Sequence, residues 1–469
     1  MEVLHHKSMR ITLVCLLFVF LLGFMPHDFA FSNGQAASLV IGESDFTSSG
    51  AATTSTGLNA PQGLAFDSSG NLWVADLNNN RILEYRTPLS TGEAASLVIG
   101  QSSFTTNALA TTSTGLNAPQ GLAFDSSGNL WVVDTSNNRV LEYTTPLSTG
   151  EAASLVIGQS SFTTNALATT STGLSFPFAL AFDSSGNLWV ADEENNRVLE
   201  YTTPLSTGEA ASLVIGQPSF TTSNFPISST GLNGPNAIAF DSSGNLWISD
   251  FRHDRVLEYS TPFSTHEAAS LVIGQSSFTA CVRCFTSIGG VTTSTGMNSP
   301  TGLAFDQGHN LWVMDGGNNR VLEYTTPFST FEAASLVIGQ NTFTGNSTGT
   351  SSTTLGAPQG LAFDSGHNLW VADYGNYRVL RYGSSPPSTT TATSSTPSTK
   401  TSTTSSVTTS SFSITSTSTS ASTNTLGSAS ATSTSKGGGV PEFPFQLAIV
   451  AVFTIALVGV TLVVRRHSF

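Results

Sequence analysis

Positive charge is the scarcest property of this sequence. Only 16 of its 469 residues are Lys or Arg, against 30 Asp or Glu, and no lysine occurs between Lys7 and Lys400. A nucleic-acid-binding protein needs clustered Lys and Arg to replace the counterions of the phosphates. We therefore expect no nucleic-acid partner for this chain.

Cysteine is also rare, with three residues in the whole chain. Cys15 lies near the N-terminus, and Cys281 and Cys284 form a single CVRC motif in a seven-residue insertion. One CxxC motif supplies at most half of a zinc site. Outside the cell, a disulfide between Cys281 and Cys284 is the expectation, since that compartment is oxidising.

What the chain contains many times is a repeated block that ends in AASLVIG. Consecutive copies are 58 residues apart four times and then 65 residues apart. A fixed period with strand-like content predicts a repeat architecture. The six copies begin at Ala36, Ala94, Ala152, Ala210, Ala268 and Ala333.

One repeat reads as four short strands. Apolar runs cover Gly63 to Asp67, Leu72 to Asp76, Arg81 to Tyr85 and Ala95 to Gly100, and Gly-, Asn- or Pro-containing turns separate them. No run has a sustained helical period. The pattern predicts an antiparallel four-stranded meander.

These strands are apolar on both faces, so each sheet has to be covered on both sides. Six such sheets around a common axis cover one another, which predicts an all-β, six-bladed β-propeller of four-stranded blades. The N-terminal strand, Ala37 to Gly42, completes the last blade beside Arg378 to Tyr382 and closes the ring. All six tryptophans share one repeat position, which predicts packing between blades: Trp73, Trp131, Trp189, Trp247, Trp312 and Trp370.

The two ends of the chain predict export. Residues 1–32 resemble a secretory signal peptide, with Lys7 and Arg10 before an apolar run, although a retained N-terminal anchor is the alternative. Residues 33–383 form the propeller. Residues 384–439 are almost entirely Ser and Thr, which predicts a disordered linker, either O-glycosylated as a stalk or unmodified.

Residues 440–469 predict a membrane anchor. About 20 uncharged, mostly apolar residues from Phe445 to Val464 are long enough to cross a bilayer as one transmembrane helix, and Arg465 and Arg466 would stay in the cytoplasm. With the PEFP sequence from Pro441 to Pro444, this tail resembles the archaeal PEF-type C-terminal sorting signal. The resemblance implies a cell-surface protein whose tail is either retained or cleaved and replaced by a lipid.

The core of each repeat resembles the NHL repeat. The block P-x-G-h-A-h-D-x-x-G-N-h-h-V-A-D-x-x-N-N-R-h, where h is apolar, reads PQGLAFDSSGNLWVADLNNNRIL from Pro61, and related copies begin at Pro119 and Pro177. The resemblance implies a six-bladed propeller in which the GLAFD strand lines the central channel and the ASLVIG strand is outermost. It covers all six repeats.

Residues that occur in every blade, such as Asp76 and Arg81, are expected to be structural. A specific site has to come from residues that differ between blades, on the face that carries the loop into the first strand and the turn between the second and third. Aromatic and charged residues there suit the recognition of a peptide or glycan. The candidates for ligand binding are Phe178, Glu193, Glu194, Phe251, Arg252, His253, Asp254, Tyr374 and Tyr377.

We therefore expect a monomeric, cell-surface propeller that is not an enzyme and binds an extracellular protein, a glycan or an envelope component. The alternative is a secreted lyase or hydrolase of the NHL-like kind, with or without a metal ion. His253 is the one histidine predicted on the candidate face, and a metal site usually needs three or four ligands, so no metal, cofactor or catalytic residue is expected. Asn346 begins the one N-glycosylation sequon, NST.

Overall fold

The computed structural model describes residues 31–280 and 292–383, which form six four-stranded antiparallel sheets. In blades 1 to 5 the strands follow one another from the innermost to the outermost, so each blade is a simple meander. The predicted all-β propeller with four-stranded blades is confirmed.

The first three blades contain strands β2 to β13, and β1 precedes them. Each second turn is a single turn of 3-10 helix. The bounds are β1 Leu39–Ile41; in blade 1, β2 Pro61–Phe66, β3 Leu72–Asp76, 3-10 Leu77–Asn79, β4 Arg81–Tyr85 and β5 Leu97–Ile99; in blade 2, β6 Pro119–Phe124, β7 Leu130–Asp134, 3-10 Thr135–Asn137, β8 Arg139–Tyr143 and β9 Leu155–Ile157; in blade 3, β10 Pro177–Phe182, β11 Leu188–Asp192, 3-10 Glu193–Asn195, β12 Arg197–Tyr201 and β13 Leu213–Ile215.

The last three blades repeat the same order. In blade 4 the bounds are β14 Pro235–Phe240, β15 Leu246–Asp250, 3-10 Phe251–His253, β16 Arg255–Tyr259 and β17 Leu271–Ile273; in blade 5, β18 Pro300–Phe305, β19 Leu311–Asp315, 3-10 Gly316–Asn318, β20 Arg320–Tyr324 and β21 Leu336–Ile338; in blade 6, β22 Leu361–Phe363, β23 Leu369–Asp373, 3-10 Tyr374–Asn376 and β24 Arg378–Tyr382.

Blade 6 is completed by the other end of the propeller. Strand β1 pairs antiparallel with β24, with Val40 opposite Leu380 and Ile41 opposite Val379. All three residues of β1 are buried. The predicted closure of the ring is therefore confirmed, and β24 has no open edge.

Neighbouring blades are held together by aromatic pairs. The Trp73 ring meets the Phe124 ring of blade 2 edge to face at 5.6 Å, and Trp370 of blade 6 meets Phe66 of blade 1 at 5.7 Å. Such geometry is favoured by the ring quadrupoles. The six tryptophans thus pack between blades, as their shared repeat position predicted.

A buried ion pair recurs in every blade at the end of the second strand. In blade 1, Asp76 Oδ2 accepts hydrogen bonds from Arg81 Nε at 2.7 Å and Asn79 Nδ2 at 2.8 Å. Arg81 Nη2 donates to the carbonyl oxygens of Thr54 and Gly57 in the preceding long loop. The pair therefore fixes the long loops of this face, which confirms the structural role expected for it.

Several predicted features lie outside the described residues: the signal peptide, the CVRC motif with Cys281 and Cys284, the Ser/Thr linker and the C-terminal tail. Within residues 31–280 and 292–383, no helix has the length and the apolar character needed to span a membrane. The secretion and anchoring of the chain stay predictions.

Candidate ligand site at the mouth of the central channel

The innermost strands of all six blades surround a cavity of about 110 Å³ on the channel axis. The GLAFD strand lines the channel, as the NHL resemblance implied. Six buried aliphatic side chains, one from each blade, belong to the residues that line this cavity further along the innermost strands. Above them, at the mouth, stands a ring of mostly polar side chains: Gln62, Gln120, Phe178, Asn236, Thr301 and Gln359.

Small residues between these two layers let the inner strands approach closely. A Cβ atom at Gly63 would lie 2.3 Å from the carbonyl oxygen of Gln120, and one at Gly360 would lie 2.2 Å from that of Gln62. Any side chain at these glycines would push blades apart. The polar ring is therefore held by backbone packing between blades.

Two amide oxygens of the ring lack hydrogen-bond partners among the described residues. Gln120 Oε1 and Asn236 Oδ1 are buried, and neither oxygen has a partner among the described residues. The Asn236 side chain is only 3% exposed. A buried acceptor without a donor costs about 1–3 kcal/mol, so such groups call for an explanation.

These two residues flank Phe178, because they belong to blades 2 and 4 and Phe178 belongs to blade 3. The hydroxyl of Thr135, in the 3-10 turn of blade 2, is also buried and unpartnered among the described residues. One sector of the mouth therefore combines an apolar ring with unfilled acceptors.

Unpartnered buried hydroxyls occur elsewhere as well, and these are of another kind. They belong to the last residue of the third strand in every blade, so they are a property of the repeat. They are the hydroxyls of Tyr85, Tyr143, Tyr201, Tyr259, Tyr324 and Tyr382.

A cluster of charges lies on the same face, between blades 3 and 4. Arg252 Nη2 donates to Glu193 Oε1 at 3.0 Å and to Glu194 Oε1 at 2.8 Å. The exposed fraction of the side chain is 13% for Glu193, 44% for Glu194 and 27% for Arg252. Three of the predicted site residues, from two separate turns, are thus brought together.

The pKa of Glu193 is raised to about 7. Burial is the main cause, because it penalises the charged carboxylate. The positive charge of Arg252 lowers the pKa, and the negative charges of Glu194 and Asp192 raise it. A carboxyl group with this pKa can both donate and accept a proton near neutral pH.

The structure places His253 and Asp254 away from the surface. His253 is fully buried, at the position where the other blades have Asn79 or its equivalent, and its Nδ1 lies 2.9 Å from Asp250 Oδ2. Asp254 accepts a hydrogen bond from the backbone N–H of Ser299, and burial raises its pKa to about 6. His253 belongs to the interior ion-pair network, so it is not presented to a ligand.

The remaining predicted residues are more dispersed. Phe251 is half-buried in the same turn as Arg252. Tyr374 and Tyr377 are half-buried in blade 6, which lies across the channel from blade 3. Asn346 is exposed in the long loop before β22, and its carbonyl oxygen accepts a hydrogen bond from Asn319 Nδ2.

The sequence pointed to this face but did not single out three of its residues. Gln120 and Asn236 share a ring position that the sequence marks as variable, yet a missing partner cannot be seen without coordinates. Gly234 carried a readable signal. It replaces the Ala, Phe or Ser found at its position in the other blades: Ala60, Ala118, Phe176, Ser299 and Ala357.

In the part of the chain that the structure describes, no group of three or more His, Cys, Asp or Glu residues is arranged to hold a metal ion. Among the predicted site residues on this face, Glu193 has the carboxyl group whose pKa is raised closest to neutral pH.

Comparison with known families agrees with the geometry. The teneurin NHL domain family matches residues 90–324, half of the chain, and the NHL repeat family matches residues 58–85 and 355–382. The protein belongs to the NHL-repeat family. The resemblance read from the repeated block is confirmed, whereas the C-terminal sorting signal stays a prediction.

One curated relative of this NHL-repeat protein is teneurin-1 of Mus musculus, 27% identical over 228 residues. The match covers 44% of this chain and 8% of teneurin-1. The chain thus spans less than a tenth of the relative's length, and the activity of the whole relative is not transferred to it.

Similar solved structures include enzymes. A streptogramin B lyase is 13% identical, with 71% of this chain and 95% of that chain covered and a TM-score of 0.41. A gluconolactonase from Xanthomonas campestris is 16% identical, with 69% and 86% covered and a TM-score of 0.41. A catalytically inactive virginiamycin B lyase from Staphylococcus aureus, solved with quinupristin, is 14% identical, with 68% and 79% covered and a TM-score of 0.40.

These structures correct one prediction. The sequence led us to expect that the protein is not an enzyme, and this is wrong as a conclusion from the fold, since the similar propellers are lyases and gluconolactonases. At such identities and TM-scores no residue role can be carried over. Any catalytic role therefore depends on the residues of this NHL-repeat protein itself.

Proposed function

We propose that this NHL-repeat propeller is an enzyme of the lyase or hydrolase kind that binds the end of a glycan at the channel mouth, over Phe178. The observation that carries the proposal is the pair of unpartnered buried oxygens, Gln120 Oε1 and Asn236 Oδ1, on either side of that ring.

The chemistry of this sector suits an uncharged ligand with hydroxyl groups. Once the Gln120 and Asn236 side chains turn toward the channel, ligand O–H groups would donate to their oxygens, while an apolar ring face would pack on Phe178. A sugar ring offers both, because its hydroxyls lie around its edge and its C–H bonds form apolar faces.

The size of the cavity limits what can enter. Its volume of about 110 Å³ is well below the roughly 300–1,000 Å³ typical of pockets that enclose a drug-sized ligand. Only an end group therefore enters the mouth, and the rest of the ligand lies on the surrounding face.

The rim of that face can contact a larger partner. Three consecutive long loops expose one large apolar side chain each, with Leu109 67%, Leu167 59% and Phe225 55% exposed. Exposed apolar groups that cluster on one side of a protein are typical of interaction surfaces. The proposal thus favours a polymeric glycan or a glycoprotein over a free small molecule.

The proposal also places the propeller at the cell surface, where such ligands occur. Its support is the predicted leader, Ser/Thr linker and C-terminal apolar segment, all outside the described residues. The placement is tested by adding protease to intact cells, which is expected to release a fragment of propeller size. Persistence of the full-length chain on such cells but not on lysed ones would contradict it.

A glycan array probed with the full chain tests the function, with Phe178→Gln as the variant. The fold tolerates glutamine there, because Gln62, Gln120 and Gln359 occupy the same ring position. Binding of the glycan selected by the wild type is expected to fall at least 10-fold. The control is Phe331→Gln, which removes an aromatic side chain, 44% exposed, from the loop before β21 on the opposite face.

Two results would contradict the proposal. One is an array on which the wild type binds no glycan. The other is a loss of binding that is equal for Phe178→Gln and Phe331→Gln.

A further inference from the structure

The charged cluster between blades 3 and 4 lies on the same face of the propeller as the channel mouth, beside the cavity lining. We propose that Glu193 is the residue that takes a proton from the water attacking the bound ligand, and that Arg252 is its positioning residue. This inference deepens the proposed function and rests on it for the identity of the ligand.

The repeat shows where Glu193 stands. In blade 5 its position is occupied by Gly316, and a Cβ atom there would lie 3.0 Å from Thr301 Oγ1 and 3.1 Å from the carbonyl oxygen of Pro358. The position therefore borders the ring residue of its own blade and the start of the innermost strand of the next blade. By the repeat, the corresponding neighbours of Glu193 are Phe178 and Pro235, the residue that precedes Asn236.

Arg252 holds the Glu193 side chain from the neighbouring blade. A single nitrogen, Nη2, contacts both carboxylates, so one positive charge is shared by Glu193 and Glu194. One guanidinium cannot neutralise two carboxylates and leaves the cluster with a net negative charge. The more buried of the two, Glu193, is the one for which that uncompensated charge costs most.

Gly234 makes room for this arrangement. A Cβ atom at Gly234 would lie 2.8 Å from Arg252 Nη1 and 3.2 Å from its Cζ. The positive φ of 65° at Gly234 does not by itself require glycine, because Ala60, Ala118 and Ala357 hold φ values of 61°, 51° and 47° at the same position. The absence of a side chain at this one position is therefore explained by the path of Arg252.

A second, independent observation links the cluster to a ligand. Asn236, whose innermost strand the Glu193 position borders, carries an unpartnered Oδ1 and is 3% exposed. A ligand hydroxyl bound by this oxygen would stand at the edge of the mouth nearest to Glu193.

The reaction that fits is a proton exchange without any redox change. In a hydrolysis, the Glu193 carboxylate accepts a proton from a water molecule whose oxygen bonds to the electrophilic carbon of the ligand. The bond to the leaving oxygen breaks with its electron pair on the side opposite the attacking water, that oxygen takes a proton from the solvent, and the Glu193 carboxyl then releases its own proton to the solvent. The raised pKa, set by burial together with Arg252, Glu194 and Asp192, keeps both protonation states populated near neutral pH.

The first experiment needs no ligand. The full chain is labelled with ¹³C at glutamate carboxyls and titrated by NMR, with Glu193→Gln used to assign the signal. One carboxyl is expected to titrate near pH 7, and Gly234→Ala, which displaces Arg252, is expected to move it to higher pH. Titration of Glu193 with the other glutamates near pH 4–5 would overturn the inference.

The second experiment separates catalysis from binding. The full chain is assayed for release of p-nitrophenol from a panel of p-nitrophenyl glycosides, alone and as Glu193→Gln and Asn236→Leu. The kcat is expected to fall at least 100-fold in Glu193→Gln with little change in KM, since general acid–base catalysis contributes about 10²–10⁴-fold. The KM is expected to rise in Asn236→Leu. Glu209→Gln, on the opposite face of blade 3, is the matched control and is expected to match the wild type.

The outcomes distinguish the two proposals. If the wild type cleaves no glycoside but Glu193 titrates near pH 7, the assignment of a glycan substrate is wrong and the proton-exchanging group stands. If the wild type cleaves a glycoside and Glu193→Gln cleaves it equally fast, the role of Glu193 is wrong and the proposed function stands.

Discussion

Blade 3 carries two carboxylate–arginine contacts on adjacent residues, and they differ in nearly every physical respect. Asp192 pairs with Arg197 of its own blade at 2.7 Å, and both side chains are fully buried. Glu193 pairs with Arg252 of the next blade at 3.0 Å, and both side chains keep some exposure. The first contact recurs in all six blades, whereas the second occurs once among the described residues.

The difference lies in how completely the hydrogen bonds are satisfied. Asp192 also accepts from Asn195 Nδ2 and from the backbone N–H of Ser175, at 2.8 and 2.7 Å. Arg197 donates its remaining N–H groups to carbonyl oxygens of two long loops. An ion pair whose hydrogen bonds are all made stabilises the fold. Glu193 instead shares the guanidinium group of Arg252 with Glu194, so its carboxyl group remains able to exchange a proton.

The largest expected difference between the two contacts is in stability. Arg197→Met leaves Asp192 charged and buried without its partner, and we expect the free energy of unfolding to fall by about 3–5 kcal/mol. Arg252→Met removes a partly exposed pair, and we expect a loss of about 1 kcal/mol or less. Urea unfolding of the two full-length variants measures both. Equal losses would mean that the cluster between blades 3 and 4 is as structural as the repeated pairs.

The next largest effect is on the pH dependence of stability. The pKa of Glu193 is about 7 in the folded protein, above its ordinary value of 4.5, so the folded state binds this proton more tightly than the unfolded state. Its contribution to stability is full below pH 4.5 and is lost as the pH rises through about 7, by up to about 3 kcal/mol. Unfolding of the wild type and of Glu193→Gln is compared between pH 4 and pH 8.

In that comparison the wild type is expected to lose stability relative to Glu193→Gln as the pH rises. The same titration with Glu209→Gln is the control, and its difference from the wild type is expected to stay level across this window. Parallel curves for the wild type and Glu193→Gln would contradict a raised pKa at this residue.

The sequence was enough to predict the repeated contact but only part of the unique one. A residue that recurs at fixed spacing, such as Asp192 or Trp189, has its role fixed by the period, and the period also placed the strands and the closing strand β1. The pairing of Glu193 with Arg252 depends on how far a side chain reaches across a blade boundary and on the space left by Gly234. Neither can be read from spacing alone.

The difference between repeated and unique residues also explains why two expectations changed, the one about His253 and the one that the protein is not an enzyme. His253 looked like a surface residue because its turn varies between blades, but its ring fills a buried asparagine position beside Asp250. The expectation of a protein that is not an enzyme rested on the scarcity of histidine and of metal ligands. The spacing of residues does not show that burial raises the pKa of a carboxyl group such as Glu193 into the pH range of acid–base catalysis.

The smallest change tests the central claim, that the channel mouth is a ligand site, most directly. Asn236→Leu keeps the branched shape of the side chain and removes the unpartnered oxygen, and the full chain is measured for both urea unfolding and glycan binding. We predict a free energy of unfolding that is unchanged or higher by about 1 kcal/mol, with glycan binding weakened at least 10-fold. A variant that is less stable but binds as tightly as the wild type would show that Asn236 serves the fold, and would contradict the account.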